Sequence, residues 1–156
     1  MLPCSISFSN NIHGQSAVTQ NACAAGAIAM GDSYRLIQHG IMDAMITGAV
    51  DVNVNPYGYT SMEGLGALRV DANDNPDKAL CPYDKKRNGA ALADGGAIFV
   101  VESLESALAR NANIYCEIIG YGSHCIGKHI STPLQTGIGS YMTMRHALIE
   151  AGITPS

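Results

Sequence analysis

The stretch SAVTQNACAAGAIAMGDSYRLIQHG, residues 16–40, carries the strongest structural signal in the chain. Residues 16–22 alternate in polarity, which predicts a strand that ends at Cys23. Residues 24–38 then carry apolar side chains at helical spacing, and Gly40 ends the predicted helix. Small side chains early in this helix allow another element to pack closely. The stretch therefore predicts a strand–helix junction with a cysteine at the turn.

The position of Cys23 has a chemical consequence. The first backbone N–H groups of a helix lack internal acceptors, and the helix dipole places partial positive charge there. A thiolate at this point is stabilised, and the same N–H groups can bind an oxyanion that forms on an acyl carbon. The small side chains of Ala22, Ala24 and Gly26 leave room for a substrate. From position alone, the commoner role of a free cysteine as a small buried hydrophobe stays open.

Helices and strands alternate along the rest of the chain. The predicted strands are residues 42–48, 95–102 and 114–122. The predicted helices are residues 56–68, 104–111 and 140–151, the last of them ended by Gly152. The apolar run at 42–48 is expected to be buried on both faces, as a parallel strand would be. Residues 70–89 are rich in Asn, Asp, Lys and Pro and predict one long polar loop, of a length that is usually functional or mobile. The alternation predicts an α/β fold built in layers.

The composition has little charge for a protein of this length. Charged residues make up 14% of 156 residues, whereas about a quarter is usual. The shortage suggests that part of the surface is covered by a subunit interface or by another segment. The net charge of −4 gives no basic surface for nucleic acid, and no apolar run approaches the ~20 residues of a membrane span. The start of the chain also lacks the basic region and the apolar stretch of a signal peptide.

The cysteines favour a reducing compartment. There are five, at positions 4, 23, 81, 116 and 125. An odd number without a C-x-x-C pair argues against a disulfide framework and for the cytoplasm or an organellar matrix, mitochondrial or plastid. His124, Cys125 and His129 are spaced H-C-x-x-x-H, which matches no zinc-binding pattern, so no metal is expected.

Several segments together resemble the β-ketoacyl-acyl-carrier-protein synthases, in that family's order. NACAAGA at residues 21–27 resembles the family's nucleophile motif, and the match continues through residues 31–37 and 42–49. PYDKKRNG at residues 82–89 resembles the family's P-F-D-x-x-R-D-G segment. The strand that follows, a loop near the active site and the helix after it are matched by residues 114–122, 129–133 and 147–152.

The resemblance implies that Cys23 is a nucleophile in a thiolase-like fold of α-β-α-β-α layers. Such a fold has two related halves, and residues 1–156 would be a partial domain that spans the end of the N-terminal half and the start of the C-terminal half. The implied reaction moves an acyl group from a carrier thioester to Cys23. A malonyl carrier then loses carbon dioxide, and its carbanion attacks the acyl group, as in fatty-acid or polyketide elongation. The implied partners are acyl carrier protein, with its phosphopantetheine arm, and a second copy of the chain; no cofactor, nucleic acid or membrane is expected.

Four further residues are candidates for substrate contact by the same resemblance. Met62 stands where relatives commonly have an aromatic side chain. His129, Ser131 and Thr132 belong to the loop near the active site. Relatives also use two histidines and a lysine to assist decarboxylation, and these are expected to follow Ser156.

Two other functions stay open on the sequence. A thiolase-type enzyme acting on coenzyme A thioesters would share much of the pattern, although residues 82–89 and the His129 loop favour the carrier-protein branch. A catalytically inactive chain that only associates with a full-length synthase agrees with the missing histidines and the low charge. Ala90, in place of an aromatic residue, and Asp94, in place of glutamate, agree with it too.

Overall fold

The computed structural model describes residues 2–129, 132 and 134–155. In this part of the chain the helices are α1 (Leu2–Asn10), α2 (Ala25–Gln38), α3 (Pro56–Gly64), α4 (Leu104–Ala109) and α5 (Ile138–Ala151). The strands are β1 (Ala44–Val52) and β2 (Asp94–Glu102), which are neighbours in a two-stranded sheet. Single 3₁₀ turns lie at Ala22–Ala24 and Pro76–Lys78. No helix among the described residues has both the length and the apolar character that crossing a membrane requires.

The chain divides into two compact units. Unit 1 consists of Met1–Gly48 and Ile98–Ser156, and unit 2 consists of Ala49–Ala97. Helices α1, α2, α4 and α5 belong to unit 1, whereas α3 and the polar loop belong to unit 2. The boundaries between the units fall inside β1 and β2.

The buried positions of unit 1 are occupied by small residues. Among the described residues these are Gly31, Ser33, Thr47, Ala107 and Gly139. The Ser33 hydroxyl is satisfied within its own helix, because it donates to the Ala29 carbonyl at 2.8 Å. Large apolar side chains remain exposed instead, and three consecutive residues of β2, Ile98, Phe99 and Val100, are each about half exposed or more. Because neighbouring strand residues face opposite sides, both faces of this part of β2 present apolar surface.

Close backbone approaches hold residues 120–122 against α5 in unit 1. A Cβ atom added to Gly120 would lie 2.8 Å from the backbone nitrogen of Ala151, and one added to Gly122 would lie 2.8 Å from that of Ala147. Both positions therefore require glycine, since any side chain would collide with the helix backbone.

The polar loop of unit 2 is closed at its base by a parallel bridge between Leu68 and Ala90. The backbone N–H of Arg69 donates to the Ala90 carbonyl at 2.9 Å. The Arg69 guanidinium then reaches into the loop, where its Nε atom lies 3.0 Å from Oδ1 of Asp71. The prediction of one long polar loop over residues 70–89 is confirmed.

Six of the predicted elements are confirmed within a few residues. They are the helices α2, α3, α4 and α5 and the strands β1 and β2. Gly152, with a φ of 68°, caps α5 in the left-handed conformation that favours glycine. Helix α1 was not predicted, and it carries neither an acidic first turn nor a basic last turn that would have marked its ends.

Three expectations are wrong. Residues 16–22 and 114–122 form no strand, because among the described residues only β1 and β2 pair into a sheet. Alternation predicts a strand only where one face is buried, and here Val18 is 66% and Tyr115 is 92% exposed. Residues 42–48 contribute to β1, but they are not buried on both faces, since Thr47 is their one buried residue. Met45 and Gly48 are half-buried, and the other residues of β1 apart from Thr47 are exposed.

Candidate functional site

Cys23 lies in the middle of the 3₁₀ turn Ala22–Ala24, directly before α2. The turn is closed by the backbone N–H of Ala24, which donates to the Asn21 carbonyl at 3.1 Å. Ala24 is the N-cap residue of α2 and offers no side-chain acceptor, and the first turn contains no acidic side chain. No side chain of the first turn therefore offsets the positive end of α2, while the N–H groups of Ala24 and Ala25 donate to the backbone carbonyls of Asn21 and Ala22.

The cysteine is also accessible, since Cys23 is exposed. The sequence placed a cysteine at the start of a helix, and the structure confirms that placement, although no strand precedes it. An exposed sulfur beside an uncapped helix start is the arrangement that an acyl-accepting thiolate requires. Catalysis by Cys23 stays a prediction.

The backbone just before the cysteine is held in an uncommon conformation. Ala22 has a φ of 45°, in a region that costs a residue with a side chain about 1–2 kcal/mol. Such backbone strain is concentrated at functional sites. Sequence reasoning missed this feature, because a positive φ is signalled by glycine or asparagine and Ala22 is neither.

A groove of about 680 Å³ lies beside α2 within unit 1. Its walls are Asn21, Ile28, Asp32 and Arg35 on one side and Tyr121, Gly122, Ser123, His146, Ile149 and Glu150 on the other. We call this the α2–α5 groove. Ile28, Asp32 and Arg35 share one face of α2 because they are spaced by four and three residues. The groove therefore follows that face from a point two residues before Cys23.

The predicted loop residues of unit 1 are partly brought together. The backbone N–H of Thr132 donates to Nδ1 of His129 at 2.9 Å, and both residues are exposed. Ser131 lies outside the described residues. A substrate role for His129, Ser131 and Thr132 stays a prediction.

Met62 is the predicted substrate residue of unit 2. It is half-buried in α3, near the helix end, and its carbonyl accepts a hydrogen bond from the backbone N–H of Ala67 at 2.9 Å. The structure therefore places Met62 in one unit and Cys23 in the other. Its contact with substrate stays a prediction.

Polar contacts organise the PYDKKRNG segment at residues 82–89. Asn88 donates from Nδ2 to Oδ2 of Asp71 at 3.3 Å, and the backbone N–H of Lys86 donates to Oδ1 of Asp84 at 2.7 Å. The hydrogen bond from Asn88, aided by the charge of Arg69, holds the pKa of Asp71 below its usual value. The segment is therefore hydrogen-bonded both to the start of the loop, at Asp71, and within itself, at Asp84.

The chain matches a family model described as "Beta-ketoacyl synthase, N-terminal domain" over residues 1–107. It is 40% identical over 142 residues to 3-oxoacyl-acyl-carrier-protein synthase 2 of Synechocystis sp., covering 91% of this chain and 34% of that protein. It is 39% identical over 149 residues to the protein of the same name from Rhizobium meliloti, covering 96% of this chain and 35% of that protein. The chain thus spans about a third of the length of these relatives.

Solved structures give the same result. A type II PKS acyl-carrier protein in complex with its ketosynthase bound to the hexaketide superimposes with a TM-score of 0.94 and 31% identity, over 98% of this chain and 38% of that chain. A β-ketoacyl synthase from Burkholderia phymatum superimposes with a TM-score of 0.88 and 30% identity, over 96% of this chain and 36% of that chain. The predicted thiolase-like α/β fold class, present here in part, is confirmed. The chain belongs to the β-ketoacyl synthase family.

Proposed function

We propose that this chain is the part of a condensing enzyme that carries the acyl-accepting cysteine, Cys23. The reaction is the decarboxylative condensation of an enzyme-bound acyl group with malonyl-acyl-carrier-protein, in fatty-acid or polyketide elongation. One observation carries the proposal: Cys23 is exposed at the uncapped start of α2, in a chain that the family model matches over residues 1–107.

The first step is transfer of the acyl group to the cysteine. The Cys23 thiolate attacks the thioester carbon, a C–S bond forms, and the carbonyl electrons move to oxygen. The oxyanion is stabilised by backbone N–H groups at the start of α2 other than those of Ala24 and Ala25, which donate to the carbonyls of Asn21 and Ala22. When the carbonyl re-forms, the bond to the carrier's sulfur breaks and the carrier leaves as a thiolate.

The second step releases the cysteine. Malonyl thioester loses carbon dioxide, and the electron pair of the broken C–C bond becomes a carbanion. This carbon attacks the acyl carbon on Cys23, a new C–C bond forms, and the C–S bond breaks, which returns Cys23 to the thiolate. The chain is two carbons longer, and splitting the transfer in this way lowers each barrier.

The candidate substrate contacts are carried over from the resemblance to the family. We assign Met62, His129, Ser131 and Thr132 to the surroundings of the acyl chain and its carrier arm. The backbone contact between Thr132 and His129 supports a shared role for these two residues. An acyl carrier protein as partner is supported by the similar solved ketosynthase, which was captured with its carrier protein.

A homo-oligomer and a two-half domain belong to the same proposal. The apolar residues Ile98, Phe99 and Val100 are exposed and would be covered by a second copy or by the remainder of a longer protein. We assign residues 108–156, which follow the match to the N-terminal domain model, to the start of the second half. Light scattering of the chain tests the oligomer, and a stable monomer at micromolar concentration speaks against it.

A reducing compartment, the cytoplasm or an organellar matrix, suits the chemistry. Cys23 acts as a thiolate, and an exposed thiol is open to oxidation. The other four cysteines are also free, and three of them are exposed.

Covalent labelling tests the proposal directly. The chain is incubated with a hexanoyl thioester of N-acetylcysteamine, and the adduct is located by intact mass and peptide mapping. Cys23 is expected to acylate faster than Cys116, a free and exposed cysteine outside any helix. Cys23→Ser removes the adduct and Cys116→Ser retains it. Equal labelling of the two cysteines, or none at either, contradicts the proposal and favours the inactive, associating chain.

A comparison of donors separates the remaining alternative. The same acyl group is presented on an acyl carrier protein and on coenzyme A. Faster transfer from the carrier protein supports the condensing enzyme, whereas equal or faster transfer from coenzyme A points to a thiolase-type enzyme.

A further inference from the structure

The aromatic ring of Tyr121 packs against α2 at Gly31, within unit 1. Gly31 is buried in α2, and a Cβ atom added there would overlap the ring of Tyr121. The ring therefore rests on the backbone of α2 itself, which only glycine permits. Tyr121 belongs to the residues 120–122 that pack closely on α5.

Arg35, one turn after Gly31 on α2, contacts the face of the same ring. Its guanidinium carbon lies 5.6 Å from the centre of the Tyr121 ring, within the range of a cation–π contact. Its Nη2 atom also donates to Oε2 of Glu150 on α5 at 2.9 Å. Arg35 thus joins three elements, α2, the segment of Tyr121 and α5, at one point.

The α2–α5 groove is lined by three of the residues in these contacts, Arg35, Tyr121 and Glu150. Gly31 and Arg35 are four residues apart and lie on the face of α2 that carries Ile28. Asn21, two residues before Cys23, lines the groove too. A displacement of the ring therefore changes where α2 sits within unit 1.

We propose that Tyr121, seated on Gly31 and held by Arg35, is a positioning residue for the Cys23 thiol. This inference rests on the proposed function. The distance from Gly31 back to Ala24 is seven residues, or ~10 Å along the helix at 1.5 Å per residue. The 3₁₀ turn with Cys23 is continuous with α2, so a shift or tilt of the helix at Gly31 moves the sulfur and the N–H groups beside it.

The position of the Cys23 sulfur affects its acylation by a thioester more than its alkylation by iodoacetamide. Acyl transfer needs the thioester carbon, the sulfur and the oxyanion donors in line, and a misplacement of about 1 Å can cost up to about 100-fold in rate. Alkylation by iodoacetamide needs only an accessible thiolate. The ratio of acylation to alkylation at Cys23 therefore reports position. A general loss of structure instead raises the alkylation of Cys81, the half-buried cysteine, and weakens the circular dichroism signal.

The test measures both rates at each cysteine of the 156-residue chain, by peptide mapping. Tyr121→Ala is expected to lower acylation of Cys23 by the hexanoyl thioester about tenfold. Alkylation of Cys23 and of the half-buried Cys81 should stay unchanged within about twofold, and so should the circular dichroism signal. Tyr121→Phe restores most of the acylation rate, because the ring makes the contact. Tyr115→Ala is the matched control, since this tyrosine is in the same segment and is 92% exposed.

A second variant approaches the contact from the helix. Gly31→Ala is expected to lower Cys23 acylation like Tyr121→Ala, because its methyl group displaces the ring. In the double variant Gly31→Ala/Tyr121→Ala the methyl group occupies vacated space, so acylation is expected to exceed that of either single variant. If the fractional acylation rate of the double variant equals the product of the two single-variant fractions, the two residues act independently. The contact between Gly31 and Tyr121 is then not the cause of the loss.

The outcomes separate the two proposals. If the unmodified chain acylates Cys23 and Tyr121→Ala acylates it equally fast, the positioning role is wrong and the proposed function stands. If Tyr121→Ala raises the alkylation of the half-buried Cys81 or weakens the circular dichroism signal, the ring is merely structural and the positioning role is again overturned. If the unmodified chain does not acylate Cys23, both proposals are overturned.

Discussion

The base of the polar loop offers a sharp test of the local geometry, through Gly89. This residue has a φ of 80° and adjoins the bridge between Leu68 and Ala90. A Cβ atom at Gly89 would lie 2.7 Å from the backbone nitrogen of Arg69 and 2.9 Å from the Leu68 carbonyl oxygen. Gly89→Ala therefore meets two separate penalties, one from its own backbone conformation and one from a neighbouring strand of chain.

The two penalties can be estimated separately. A left-handed conformation costs a residue with a side chain about 1–2 kcal/mol. Relieving contact with rigid backbone adds about 1–3 kcal/mol, because the bridge has to open. The sum is about 2–5 kcal/mol of unfolding free energy. The bridge hydrogen bonds, Arg69 N to Ala90 O at 2.9 Å and Ala90 N to Ala67 O at 2.8 Å, are the contacts expected to lengthen.

Two other glycines in unit 2 separate the penalties. Gly66 has a φ of 63° and nothing within 4 Å of an added Cβ, so Gly66→Ala should cost only the conformational part, about 1–2 kcal/mol. Gly64 has neither a positive φ nor a near neighbour, and Gly64→Ala at the end of α3 should be neutral or stabilising by up to about 1 kcal/mol.

Thermal or urea unfolding of the three variants, followed by circular dichroism, is the assay. The expected order of stability is Gly64→Ala, then Gly66→Ala, then Gly89→Ala. Each kcal/mol corresponds to about 2–4 °C in Tm for a chain of this size. A Gly89→Ala variant as stable as Gly66→Ala would refute the close approach of Gly89 to Leu68 and Arg69.

Two further predictions concern a helix cap and an ion pair. Oδ1 of Asn55 accepts from the backbone N–H groups of Tyr57 and Gly58 at 3.1 Å each, so Asn55→Ala should lower stability by about 1 kcal/mol. Asn55→Asp should keep this cap but lose the hydrogen bond that Nδ2 donates to the Val52 carbonyl at 3.0 Å, and so its stability should fall between those of Asn55→Ala and the parent chain. Equal urea midpoints for Asn55→Ala and the parent chain would contradict the cap. Hydrogen bonds from Arg110, and then from Ser106, hold the pKa of Glu102 below its usual value of 4.5. Because the pKa is lower in the folded chain, this contribution is complete above pH 4.5 and is lost as the pH falls through the folded pKa. Arg110→Gln should therefore destabilise the chain at pH 7 and make no difference in stronger acid, while Arg145→Gln, at an exposed arginine of α5, serves as the control. If Arg110→Gln changes the unfolding free energy by the same amount at every pH, the ion pair between Arg110 and Glu102 is not the cause of the change.

Much of the candidate site could be predicted because it depends on local sequence. The helix α2 follows from apolar spacing over residues 24–38, and the placement of Cys23 at its start follows from where that spacing begins. Helix α5 ends at Gly152 for the reason expected, a left-handed cap. Ala22 could not be predicted, since its positive φ is imposed on it by the turn and not by its own preference.

The errors share one cause. Residues 16–22 and 114–122 have the alternation of strands, but a strand also needs a hydrogen-bonding partner, which is distant in sequence. Among the described residues that partner is absent for both segments. The burial expected of residues 42–48 failed in the same way, because burial depends on what another layer covers.

The sequence by itself determined the helices α2 to α5, the placement of Cys23 at the start of α2, and the family to which the chain belongs. These three features depend on residues that are close together in the sequence, and the tertiary structure is not needed to recognise them. Only the tertiary structure decided that Tyr121 rests on Gly31 and that Arg35 reaches Glu150, 115 residues away. Contacts at such separation are set by how helices and segments pack, and no local pattern of residues specifies that packing.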